Sequence, residues 1–205
     1  MSARNSAPLA AVLLICAGLA LPNDCFALRE HVRDGWLLGF SVGTGPGEFT
    51  DTEEGASPSE SGGLFAMRVG RMIQPKLMIG AELAGWVRSE TESDAFETLE
   101  TTLTLSDLAV AATFFPADPA SSLGGLYLRA GIGAAEVKTE LKGGAATVSL
   151  SESGLGVLLG GGYEFRLTER FVLGAGASFN KLSIGGDVVD SAKFSGVALD
   201  LNWYL

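Results

Sequence analysis

Hydrophobic and polar positions alternate with a period of two along most of this chain, and the pattern is clearest in its final nine residues. Val197, Leu199, Leu201, Trp203 and Leu205 share one parity, and Ala198, Asp200, Asn202 and Tyr204 share the other. A period of two sends successive side chains to opposite faces of an extended strand. One face is therefore apolar and the other polar. No residue after Leu205 covers the apolar face, so it is expected to meet something other than water.

The same alternation predicts seven earlier strands. The first, 35–44, sets Trp36, Leu38, Phe40 and Val42 against Leu37, Gly39, Ser41 and Gly43. The second, 63–73, sets Phe65, Met67, Val69 and Ile73 against Ala66, Arg68, Gly70 and Met72, and the third, 77–88, opposes Ile79, Ala81, Leu83 and Val87 to Gly80, Glu82, Ala84 and Trp86. In the fourth, Leu103 and Leu105 are out of phase with Leu108, Val110, Ala112 and Phe114. Either a bulge near Ser106-Asp107 or a strand running past the membrane explains the slip. Strands over 125–137, 148–167 and from Phe171 to about 180 complete the set before the last one. The connections 45–62 and 89–100 are rich in Gly, Ser and acids and read as long exposed loops. The stretches 74–76 and 168–170 read as tight turns.

Composition narrows what these strands build. Hydrophobic residues make up 47% of the 205-residue chain and charged ones only 19%, with 28 glycines, and the mean hydropathy is +0.30. Yet no run approaches the roughly 18 apolar residues of a membrane helix. Dispersed hydrophobicity, an even strand count and short turns on one end with longer loops on the other predict an all-β, eight-stranded antiparallel up-and-down transmembrane barrel. The barrel is expected over 28–205, after a signal peptide at 1–27 with its apolar stretch at 9–21. Cleavage after Ala27 fits Cys25-Phe26-Ala27, with Ala20 as the alternative. If Ala27 is the site, Cys16 and Cys25 both leave with the signal, and the mature barrel has no thiol for a disulfide, a nucleophile or a metal.

Two stretches carry a resemblance. The C-terminal alternation resembles the closing strand of bacterial outer-membrane barrels, and Gly160-Gly161-Gly162-Tyr163-Glu164-Phe165-Arg166-Leu167-Thr168 is similar to their glycine, aromatic and acid approach to a periplasmic turn. The whole mature chain resembles the small eight-stranded group that contains OmpX, OmpW and the OmpA transmembrane domain. The resemblance implies the bacterial outer membrane, contact with its lipid and lipopolysaccharide, and insertion by the barrel-assembly machinery. Val197, Leu199, Leu201, Trp203 and Leu205 would then serve as the insertion signal. Under the implied topology Trp36, Phe115, Phe165, Phe171 and Trp203 fall near periplasmic ends on the apolar face, as an interfacial aromatic girdle would. Aromatics also favour strands for their own reasons.

Chemistry is sparse. A serine hydrolase in a barrel wall needs an imidazole base, and the one histidine, His31, precedes the first strand. The glycines of 43–47 lack both the dinucleotide fingerprint and the lysine of a P-loop, and the loops lack the spacing of a calcium hand. No cofactor or metal site is expected. The net charge of −10 argues against nucleic acid. Acids crowd 48–60 and 90–100, either as solvated loop tips or as carboxylates that share divalent cations with lipopolysaccharide or face a partner.

Polar residues on the other parity make a second set. If Ile73 faces Leu77 across the first turn, Arg68 lies directly opposite Glu82. Arg129, Glu164 and Asp200 share that inward phase near the same end, which predicts one buried ion-pair layer plugging the lumen. Separate hydration of each charge in a wet lumen is the alternative. The functional expectation is a non-enzymatic barrel with a structural or surface-interaction role. A narrow channel or a small hydrophobic-ligand passage, as the likeness to OmpW implies, is the rival.

Overall fold

The computed structural model describes residues 33–51, 55–56, 59–93, 98–143, 146–185 and 189–205. The expected signal peptide, both cysteines, the cleavage sites and His31 lie outside these residues. The strands are β1 (Trp36–Asp51), β2 (Gly55–Ala56), β3 (Glu60–Gln74), β4 (Leu77–Ser93), β5 (Thr98–Phe114), β6 (Leu126–Gly143), β7 (Ala146–Arg166), β8 (Phe171–Ile184) and β9 (Val189–Tyr204). The two-residue β2 pairs with the tip of β1. The other eight each pair antiparallel with the next, and β9 returns to β1 from Leu37↔Tyr204 to Asp51↔Val189. The wall is a closed eight-stranded barrel, which removes the sheet edges from its body.

Strands begin and end for local reasons. At Gly35 the chain adopts φ 74°, a left-handed conformation that glycine accepts without a Cβ clash, and its carbonyl takes the Met72 N–H at 3.0 Å. The first turn differs from expectation. Pro75 and Lys76 form a two-residue turn and the register shifts between Met72 and Gln74, so the ladder resumes at Met72↔Met78 and Arg68 still pairs with Glu82. The added residue, Ile73, is absorbed as a bulge.

The two polar stretches expected as long loops are largely strand. β1 continues to Asp51, β3 starts at Glu60, β4 continues to Ser93 and β5 starts at Thr98. A ladder satisfies backbone groups whatever the side chains, so a ribbon wet on both faces needs no apolar stripe. β-branched Thr101, Thr102 and Thr104 suit it. Pairing of β4 with β5 reaches Ser93↔Thr98 and that of β6 with β7 reaches Gly143↔Ala146. By contrast β3–β4 pairing stops at Gly63↔Val87 and β7–β8 pairing at Gly154↔Ile184. Among the described residues, 88–93 and 146–153 therefore have a strand neighbour on one side only.

No bulge accompanies the slip on β5, whose register with β4 is continuous from Leu77↔Phe114 to Ser93↔Thr98. The strand is simply extended. Leu108, Val110 and Phe114 point outward and are 57%, 65% and 46% exposed, while Leu105 points inward and is fully buried. β8 repeats the inversion: its outward apolar series ends at Phe179, exposed Lys181 follows, and Leu182 and Ile184 are buried inside. Below this level the outside is apolar and the inside largely polar. Above it the relation is reversed.

Candidate functional site

The lower lumen gathers its polar residues from five strands around the wall. Arg68 on β3, Glu82 on β4, Arg129 on β6, Glu164 on β7 and Asp200 on β9 are all buried, at 2–7% exposure. Glu82 Oε2 lies 3.2 Å from Arg129 Nε and 3.6 Å from Arg68 Nε, and Arg68 Nη2 lies 3.2 Å from Asp200 Oδ1. Four of the five expected members thus form one chain of contacts. Gly39 leaves space for it, since a Cβ there would sit 2.6 Å from Arg68 Cγ.

Glu164 is served differently, by a third arginine that strand phase did not reveal. Arg33, ahead of β1, places Nε 3.4 Å from Glu164 Oε2, donates from Nη2 to the Gly124 carbonyl at 2.7 Å and lies 3.8 Å from the Phe115 ring centre. Asn202 Nδ2 also donates to Glu164 at 2.8 Å, and Tyr204 OH at 3.1 Å. Ser41 and Tyr127 hydroxyls donate to Asp200 at 2.5 and 2.6 Å. These hydrogen bonds offset the desolvation of the carboxylates. Ser41, Tyr127, Asn202 and Tyr204 were legible as inward positions. Arg33 had no such signal.

Above the ion pairs the lumen holds an apolar filling in which Trp86, Leu105, Leu158, Leu182 and Phe194 are at most 1% exposed. Trp86 donates its indole N–H to the Gly45 carbonyl at 2.9 Å, and its ring occupies space that a Cβ on Gly47 would enter at 2.7 Å. Between the layers lies a cavity of about 20 Å3, bounded by Ser41, Glu82, Tyr127 and Arg129 and by Leu64 and Phe194. That is room for a single water. Among the described residues no group of three or more His, Cys, Asp or Glu is placed to hold a metal.

The aromatic set divides. Trp36 is 51% exposed, and Phe171 and Trp203, 39% exposed each, stack outside with ring centres 5.4 Å apart. Phe165 is partly covered and lies 4.7 Å from Tyr163. Phe115 was expected on the apolar exterior, and the structure corrects this: it is 1% exposed and turned inward against Tyr127 and Arg33. Phe114 already holds the last outward position of β5, and Phe115, the next residue, donates its N–H to the Lys76 carbonyl at 2.9 Å. In the closing strand Leu199, Leu201, Trp203 and Leu205 are exposed outside and Val197 is partly so.

The family model described as outer membrane protein beta-barrel domain matches residues 9–203. The chain belongs to this family. As an outer-membrane barrel, it turns its exposed leucines, valines and phenylalanines to lipid, and the inversion on β5 and β8 marks the height at which water replaces lipid outside. Among solved structures it is similar to Ail of Yersinia pestis, crystallised with the heparin analogue sucrose octasulfate, at 15% identity and TM-score 0.56, covering 83% of this chain and 99% of that one. Neisserial surface protein A is similar at 14% identity and TM-score 0.56, over 83% of this chain and 97% of that one. At such identities the likeness concerns the fold. No curated protein matches the sequence.

Proposed function

We propose that this outer-membrane barrel is a non-enzymatic protein with a closed interior, acting through its outer surface in a structural or interaction role. The observation that carries the reading is the stacking of an ion-paired and an apolar filling across one narrow lumen, with a cavity of only about 20 Å3 between them. Such an interior supports a barrel that passes no solute. The single histidine, His31, lies in the lead before β1, and a serine hydroxyl without an imidazole beside it is a poor nucleophile. Outer-membrane lipid and lipopolysaccharide surround the wall, and the barrel-assembly machinery acts on it during insertion.

What remains to act is the projecting β4–β7 sheet. Its one-sided stretches 88–93 and 146–153 offer backbone donors and acceptors to an added strand. Residues 88–104 carry Arg88 against Glu90, Glu92, Asp94, Glu97 and Glu100, which supports a neutral or cationic partner rather than a polyanion such as the heparin analogue bound to Ail. The test is planar-bilayer recording of refolded protein. The expected trace is silent, and steady wild-type conductance would overturn the proposal.

A hydrophobic-ligand role is the second reading, favoured by Leu99, Leu141, Val148 and Leu150. They take the inward parity at the outer mouth yet are 41%, 40%, 63% and 51% exposed. Leu141 and Val148 are direct cross-strand partners. Saturable binding of an apolar fluorescent dye, abolished by Val148→Ser with Leu150→Ser, is the result this reading expects. Dye binding unchanged by the two substitutions excludes it.

A further inference from the structure

On the outer wall, Lys181 of β8 and Lys193 of β9 are direct cross-strand partners. Both are exposed. Side chains directly opposite each other stand about 4.5–5.5 Å apart at Cβ, and like charges placed so destabilise a sheet. Lys193 has a counterion on its far side, where its Nζ lies 2.8 Å from Oε2 of Glu48, its partner on β1. Lys181 has no ion pair among the described residues, and its partner on β7 is Val157. The outward positions of the three strands, 153–165 on β7, 171–183 on β8 and 191–203 on β9, hold no carboxylate. Glu48 therefore offsets one of two adjacent ammoniums and leaves the other unmatched.

The pair sits where lipid gives way to water. Phe179, one outward position below Lys181, is exposed, and so are Leu155 and Val157 on the adjoining strand. Val157 pairs with Lys181 and Leu155 with Ser183, so apolar side chains stand beside the ammoniums as well as beneath them. One outward row above, Ser183 pairs with Ser191, and one row below, Ser195 pairs with Phe179. Two cations, flanking hydroxyls and a lipid-facing apolar strip thus share one stretch of wall.

We propose that Lys181 and Lys193 together bind one phosphate of an outer-leaflet lipid. An ammonium carries three donors, so Lys193 keeps two after its bond to Glu48. A phosphate placed between the lysines converts their repulsion into two charge-assisted hydrogen bonds, and the serine hydroxyls donate to its remaining oxygens. The adjoining Leu155, Val157 and Phe179 select a phosphate that carries acyl chains, because a free phosphate buries none of their apolar surface. The site rests on the outer-membrane location alone and stands whether or not the lumen conducts.

The experiment is thermal unfolding of the refolded barrel in uncharged maltoside micelles, titrated with phosphorylated lipid A, with the same lipid stripped of its phosphates, or with inorganic phosphate. A ligand that binds only the folded barrel raises its melting temperature with concentration. The phosphorylated lipid is expected to raise the wild-type melting temperature, and the other two probes are expected to have little effect. An equal rise with the stripped lipid overturns the phosphate assignment, and an equal rise with inorganic phosphate overturns the lipid assignment. Lys181→Gln leaves the Lys193–Glu48 pair in place and is expected to raise the half-saturating lipid fraction about fivefold, the worth of one interfacial lysine. Without lipid, K181Q is expected to melt no lower than wild type, because the like-charged pair is relieved. Lys142→Gln removes the same charge from the projecting ribbon, where Lys142 pairs with Thr147, ten residues along β7 from the partner of Lys181. It is expected to leave the titration unchanged. An unchanged titration in K181Q, or an equal loss in K142Q, reduces the effect to the general field of the surface and overturns the proposal.

Discussion

Arg68 and Glu82 are direct cross-strand partners on β3 and β4, and their side chains meet inside the lumen at 3.6 Å. Because Glu82 also reaches Arg129 at 3.2 Å, removing it takes away the Arg129 ion pair and leaves Arg68 with Asp200 alone. Glu82→Ala is expected to cost about 3–5 kcal/mol, the range for breaking one side of a buried pair. Urea unfolding of refolded barrels in lipid vesicles gives the value. A double-mutant cycle should find coupling well above zero for Arg68 with Glu82 and larger coupling for Arg129 with Glu82. Coupling near zero in both would mean a wet, loosely hydrated layer.

Trp86 fills the outer lumen only because Gly47 and Gly62 leave it room. Trp86→Ala is expected to destabilise by about 3–5 kcal/mol. Gly62→Val is expected to cost about 1–3 kcal/mol by overpacking, and to break the Trp86 indole bond to Gly45. Chemical unfolding measures both costs, and indole emission reports the second: a red shift in Gly62→Val is expected, and an unshifted spectrum would contradict the packing.

The barrel seam ends where Leu205 donates its N–H to the Trp36 carbonyl at 2.8 Å and Trp36 donates to the Leu205 carbonyl at 3.3 Å. Deleting Leu205 removes both bonds. Trp203→Asp places a charge on the lipid face and ends the stack with Phe171. Both variants are expected to remain in the periplasm, without the shift in SDS migration on boiling that a folded barrel gives. Normal outer-membrane insertion of both would refute a role for this strand in assembly.

In the projecting part of the β6–β7 ribbon, Lys138 Nζ lies 2.7 Å from Glu140 Oε1. The hydrogen bond and charge of Lys138 hold the Glu140 carboxyl below its ordinary 4.5. A carboxyl depressed in the folded state contributes stability above its unfolded value and loses it as pH falls through the folded one. Local amide exchange around Lys138 and Glu140 should therefore accelerate as pH drops below 4.5, after correction for the intrinsic rate. Lys138→Ala should remove most of that dependence, and an identical profile in the variant would assign it elsewhere.

Much of the site was readable because strand parity is a local property. Arg68, Glu82, Arg129, Glu164 and Asp200 were assigned inward from period two alone, and the Arg68–Glu82 register followed from a short turn, although the real turn reaches it with two residues and a bulge at Ile73. Phe115 was misassigned because parity holds only while the strand lasts. Arg33 was missed because it belongs to no strand and enters the lumen from below. Asp107 shared the inward parity, but that its carboxylate has no hydrogen-bond partner among the described residues is a statement about every neighbouring strand.

The sequence by itself determined the strands, their faces and a membrane barrel, because side-chain alternation and dispersed hydrophobicity do not depend on what the chain packs against. Only the tertiary structure decided what each face meets at each height. Leu105 and Leu108 look contradictory in sequence, yet Leu105 is in the lumen and Leu108 faces out on one unbroken strand. The reason is that lipid outside favours apolar residues outward, whereas above the bilayer water takes that side and the same chemistry turns them inward. Where one solvent gives way to the other is set by closure of the barrel, a relation among eight strands.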